Sequence, residues 1–231
     1  MHIEPGIVHG AKMVLAYGTA AAAAGYSLKH IARDLKTRAL PSFVARAGLA
    51  TAGALVFFEL LPHFSAGVSE VHFILGTTLL LLLGVGPAAV GLAAGLGIQS
   101  MFFAPTDMPM YFVNITTLLV PLYAMSLLAA KIIPAKTAYK DVKYSQALAL
   151  STAYQGGIVA WVAFWAFYGH GFGAENLAQV ASFGAAYMTV ILLEPLVDLG
   201  GFIPCPDHRI PPDAEFDLVC YYCEQIRHHF S

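Results

Sequence analysis

The length of its apolar runs constrains this chain more than any other feature. Residues 71–104 are apolar almost without a break. One helical crossing of a bilayer needs about 20 residues, so this stretch is too long for a single span. Gly84-Val85-Gly86-Pro87 lies in its middle and supplies a turn. The expectation is two helices, 71–84 and 87–104, the first too short for a full crossing and starting below the outer surface. Other long runs cover 7–31, 42–61, 111–133, 144–167 and 177–199. They are continuous, unlike the alternating segments of about 10 residues that build a membrane barrel. Composition agrees: 58% of residues are hydrophobic and 11% charged, where soluble domains carry about 25% charged residues. The predicted fold class is all-α integral membrane, with about seven transmembrane helices over residues 1–200 and a polar cytoplasmic tail over 201–231.

Charge sets the orientation. Lys29, Arg33, Lys36, Arg38 and Arg46 cluster after the first run, and Lys136, Lys140 and Lys143 after the fifth. The outer segments 1–6, 63–70, 105–110 and 169–176 hold no Lys or Arg. With seven spans both basic loops fall on one side, and cytoplasmic loops carry the excess of positive charge. The N-terminus is therefore expected outside and the C-terminus inside. A cleaved signal peptide is not expected, because residues 1–11 are without the basic start such peptides carry. Lys12 is expected to snorkel to the interface.

Several function classes drop out. A net charge of -2 suggests no nucleic-acid partner. The chain has no Gly-Lys-Ser/Thr phosphate loop and no Ser/His/Asp hydrolase motif, so neither ATP hydrolysis nor other enzyme activity is expected of it.

The first two residues carry chemistry. Met1-His2 offers three nitrogens in sequence: the amine, the amide of His2 and its imidazole. Amine and amide close a five-membered chelate ring, amide and Nδ1 a six-membered one. Together they hold a metal in a plane with one corner open, a geometry suited to Ni(II), Cu(II) or low-spin Co(II). It disfavours Zn(II), which prefers a tetrahedron, and Mg(II) or Ca(II), which prefer oxygen. An ordinary start with a chance histidine is the plainer reading of the dipeptide alone. Pro5-Gly6 then turns the chain.

His72 is the candidate for the open corner, standing just inside the expected membrane boundary, where an ionisable residue suggests function. Its alternative is an interfacial histidine bonded to a loop carbonyl. His63 and His9 are weaker candidates, as ligands or as stations on the way in. Gln99 and Asn114 are amides in apolar surroundings and must find partners. They either fix the loop that holds His72 or bond between helices. Gly91 and Gly95 form a small-xxx-small pattern for close helix approach, expected to be used within this chain rather than with a partner.

These residues together resemble the CbiM/NikM family, the substrate-binding S components of energy-coupling-factor transporters for cobalt and nickel. The resemblance rests on Met1-His2, the run Gly67 to His72, Gly84, Gln99-Ser100-Met101-Phe102-Phe103 and Asn114, in that order and spacing. Leu61-Pro62-His63 and Tyr154-Gln155-Gly156-Gly157 resemble a proteobacterial branch of CbiM. It covers residues 1–200. It implies that Co(II) or Ni(II), as transported substrate, is held by the Met1 amine, the His2 amide and imidazole, and His72. Loops around Ser69 and Asn114 would close over the metal. It further implies a transmembrane coupling subunit, cytoplasmic ATPase subunits and a small accessory membrane protein as partners, and no organic cofactor. Two features depart from the family pattern. Glu70-Val71 replaces a run of small residues before the histidine. The loop between Gln99 and Asn114 has gained Pro105 and Pro109.

The tail beyond residue 200 lies outside the resemblance. Cys205, Cys220, Cys223, His208, His228 and His229 form a weak zinc-like pattern. They support a rival reading, a membrane chaperone that hands copper or nickel onward through this tail.

Overall fold

The computed structural model describes residues 3, 5–134, 137, 139–192 and 194. Within them the chain forms seven α-helices and one small hairpin: α1 (Met13–Thr37), α2 (Leu40–Leu55), β1 (Phe64–Ala66), β2 (Ser69–Val71), α3 (Gly76–Leu83), α4 (Val85–Phe102), α5 (Tyr111–Ile132), α6 (Tyr144–His170) and α7 (Ala174–Met188). A π-helical turn, Val56–Leu60, continues α2. Among the described residues four helical stretches are long and apolar enough to cross a membrane: Leu40–Leu60, Val85–Phe102, Pro105–Ile132 and Tyr144–His170.

The helices follow the apolar runs, with boundaries set by local chemistry. Gly84 separates α3 from α4 alone, at φ 87° and ψ 164°, a conformation that only glycine adopts without strain. α3 is eight residues long, shorter than expected, because Val71 belongs to β2 and the chain stays unwound as far as Leu75. α1 begins six residues later than the apolar run. Ile7 and Val8 are buried in a non-helical segment, and Gly169 packs directly against the Ile7 carbonyl. Lys12 does not simply snorkel outward: its ammonium donates to the Gly169 carbonyl at 2.8 Å and lies over the Tyr168 ring.

α4 sits at the centre, packed against α1, α2, α3 and α5. Its closest contact is with α2. A Cβ added at Gly95 would lie 2.6 Å from the Ala54 Cβ, and one at Gly91 would collide with Ala50. The small-residue stripe is thus spent inside the chain, as its sequence suggested.

One end of the bundle gathers the first basic loop and the Gly84 turn. Arg46, grouped with the basic cluster but falling inside the second apolar run, is buried. Its guanidinium makes a two-pronged pair with Asp34 at 2.9 and 2.7 Å and donates to the Leu83 carbonyl at 2.8 Å. This ties the ends of α1 and α3 to α2. The break at 105–110 is a short 3-10 helix. The seventh run is helical as α7 and then a 3-10 turn, Thr189–Leu192. The remainder of that run and the whole tail lie outside the described residues.

Candidate metal centre

The opposite end of the bundle holds the hairpin. Ala66 pairs with Ser69, Ser65 with Glu70 and Phe64 with Val71, around a turn at Gly67-Val68. Gly67 has φ 59°, and a Cβ there would run into the Gln179 carbonyl of α7. Both the turn and the close approach demand glycine. The free side of β2 is taken by the start of the chain, since Ile3 forms an antiparallel bridge with Ser69. Ile3 is fully buried, and its N–H donates to Asn114 Oδ1 at 3.0 Å. Asn114 stands in the first turn of α5, so this one bond joins the N-terminal segment to the bundle wall.

His72 follows β2 and is 1% exposed. Its ring is fixed by neighbours of different kinds. His63 stacks on it with centroids 5.0 Å apart and planes 8° from parallel. Phe58 meets it edge-on at 5.8 Å. Glu70 stands two residues before it, and alternate residues of an extended strand share a face. The Glu70 Oε2 to His72 Nε2 distance is 3.6 Å.

Below His72 the chain descends unwound into the bundle and is held there by a buried carboxylate. Glu194 Oε1 accepts from the Thr77 N–H at 2.8 Å, near the start of α3. Its Oε2 accepts from the Ser151 hydroxyl at 2.6 Å and from the Gln155 amide at 2.8 Å. Gln155 donates also to the Ile74 carbonyl at 3.0 Å. Glu194 and Gln155 therefore clamp residues 74 and 77, on either side of the start of α3, and set where the segment carrying His72 comes to rest. Neither was singled out from sequence as a site residue. The signal was present, because an acid inside an apolar run is rare enough to suggest function.

The residues expected at the site divide accordingly. Ser69, His72, Asn114 and His63 are brought together around the hairpin. Asn114 holds Ile3 rather than the His72 loop. Gln99 is buried near the end of α4, and its Oε1 is without a hydrogen-bond partner among the described residues; no described contact links it to His72. His9 is exposed at the cap of a 3-10 turn and likewise makes no described contact with His72. Met1 and His2 lie outside the described residues, as do Cys205, Cys220, Cys223, His208, His228 and His229. Among the described residues no group of three His, Cys, Asp or Glu is placed to hold a metal ion.

Apolar helices long enough to span a bilayer, with a buried imidazole under a hairpin at one end, define a multi-pass membrane protein that keeps polar chemistry inside its bundle. A model of the CbiM family, described as the cobalt uptake substrate-specific transmembrane region, matches residues 2–200. The chain belongs to that family and is a membrane component of cobalt uptake; the family is one of transport, with cobalt as the substrate moved. No curated protein and no solved structure matches it.

Proposed function

We propose that the chain is the substrate-capture subunit of an energy-coupling-factor transporter for Co(II) or Ni(II). The Met1 amine, the His2 amide nitrogen, the His2 imidazole and the His72 imidazole form the metal's four corners. The observation that carries this reading is the fixing of Ile3. It is bridged to Ser69 and bonded to Asn114, beside the strand that leads to His72. Covalent geometry keeps Met1 and His2 within about 7 Å of Ile3.

Four nitrogens in a plane suit Ni(II), Cu(II) and low-spin Co(II); membership of a cobalt-uptake family favours cobalt. His63, stacked on His72 and itself exposed, serves as the first contact for incoming metal. Seven spans, with the basic loops inward, put the hairpin end on the outer face of a bacterial inner membrane. A coupling subunit, ATPase subunits and a small accessory membrane protein complete the transporter, and ATP hydrolysis belongs to them.

The decisive experiment compares the purified protein with a version carrying one extra residue before Met1. The extension moves the amine by one position and ruins both chelate rings. Native protein should bind one Co(II) or Ni(II) with the absorption spectrum of a low-spin ion held by in-plane nitrogens, and the extended protein should not. Equal binding by both would remove the dipeptide from the site. Native affinity should also fall with acid, since the amide and both imidazoles must be free of protons to bind.

A further inference from the structure

We propose that Glu70 supplies a fifth, oxygen ligand to the captured metal, and that this carboxylate biases the chain toward cobalt over nickel. The inference rests on the reading that the Met1-His2 chelate and His72 hold the metal.

The geometry comes first. Glu70 Oε2 and His72 Nε2 are 3.6 Å apart. That is too long for a hydrogen bond. Metal–nitrogen and metal–oxygen bonds to a first-row divalent ion are each about 2.0–2.2 Å. Their sum exceeds 3.6 Å, so one ion can touch both atoms without either side chain moving far. The arrangement is built into the backbone: Glu70 and His72 are alternate residues of one extended segment and face the same way. Ser69 and Val71 point to the other face and are buried there, at 2% and 1% exposure. Stacking on His63 and the edge of Phe58 hold the imidazole plane.

Charge points the same way. A divalent ion bound to one deprotonated amide and three neutral nitrogens keeps a net charge of +1. The Glu70 carboxylate brings the complex to zero, and a neutral complex is far cheaper to enclose at the edge of a membrane than a charged one.

The electronic consequence follows from where the oxygen must approach. With four nitrogens in the plane, a fifth donor comes along the perpendicular axis. Low-spin Ni(II) has a filled d orbital on that axis and repels the donor. Low-spin Co(II) has a single electron there and accepts one. Both ions share the charge benefit, but only Co(II) gains a bond, so Glu70 strengthens Co(II) binding more than Ni(II) binding.

The test is Glu70→Gln, measured beside native protein, His72→Ala and the extended N-terminus. Affinities for Co(II) and Ni(II) are read separately, with the electron paramagnetic resonance spectrum of the Co(II) protein. Native protein should show five-coordinate low-spin Co(II). Glu70→Gln should lose about tenfold in Co(II) affinity, of the order seen when groups that tune a metal site are removed. Its Ni(II) affinity should fall by clearly less than its Co(II) affinity, and its Co(II) spectrum should lose the axial donor. An equal loss for both metals with an unchanged spectrum would mean that Glu70 acts by charge or folding alone, and overturns the proposal. So would unchanged Co(II) affinity in Glu70→Gln while the extension abolishes binding, and there the capture site itself would survive. If neither the extension nor His72→Ala weakens binding, the underlying site is wrong and Glu70 falls with it. The native spectrum needs no variant, so a four-coordinate Co(II) signal there overturns the proposal even if Glu70→Gln does not fold.

Discussion

At the scale of single residues, the buried polar groups at the two ends of the bundle do opposite jobs. Asn114 gives up an acceptor to Ile3, while its Nδ2 has no hydrogen-bond partner among the described residues. Asn114→Ala should leave the buried Ile3 N–H unsatisfied, at about 1–3 kcal/mol. The loss should fall on metal capture: Co(II) affinity measured by titration drops about tenfold, whereas Asn114→Asp, which keeps the acceptor, stays near native. Arg46 and Asp34 are structural instead. Asp34→Ala strands a buried guanidinium and should cost about 3–5 kcal/mol, seen as a lower unfolding temperature in detergent. Replacing both, as Arg46→Met with Asp34→Leu, should recover most of that loss, because an apolar pair of similar volume needs no desolvation. Sequence grouped Arg46 with the basic cluster, although it falls inside the apolar run 42–61. Only the tertiary structure shows that Asp34 and Leu83 converge on it.

At the scale of elements, helix positions were legible because a long apolar run has few alternatives in a bilayer, where every backbone polar group must be bonded within its own segment. The hairpin was not legible. β1 and β2 are three residues each, too short to show an alternating pattern, and they depend on Ile3 and on α7 for support. The α2–α4 contact lies between these cases: its small-residue stripe was visible, its partner was not. Gly91→Val should push α2 off α4 and cost about 1–3 kcal/mol or more by overpacking, lowering the unfolding temperature by about 2–4 °C per kcal/mol. Gly97→Ala on the same helix should be tolerated, since a Cβ there meets only the Tyr111 ring at an ordinary 3.6 Å.

At the scale of the whole molecule, the two ends of the bundle are chemically unlike. The first basic loop and the Gly84 turn lie at one end; the hairpin, His72 and the start of the chain lie at the other. Orientation in the membrane should follow that division. With Cys205, Cys220 and Cys223 changed to Ser, a Phe172→Cys variant, at a position 84% exposed, should react with an impermeant thiol reagent applied outside intact cells. Lys36→Cys should react only after the membrane is opened. The reverse pattern would invert the topology and move His72 to the cytoplasmic face.

The sequence by itself determined that this chain is a helical membrane protein and roughly where its helices begin and end. It could do so because hydropathy, turn glycines and positive charge are local and additive along the chain. Only the tertiary structure decided that Asn114 grips Ile3, that Arg46 is an inside residue, and that Gln155 and Glu194 hold the unwound segment below His72. It also turned Glu70 from a departure in a motif into a neighbour of His72 Nε2. These residues meet across more than a hundred positions in some pairs, as Ile3 with Asn114 and Thr77 with Glu194 do. A distance of that kind is fixed by how helices pack around α4, and no local pattern encodes it.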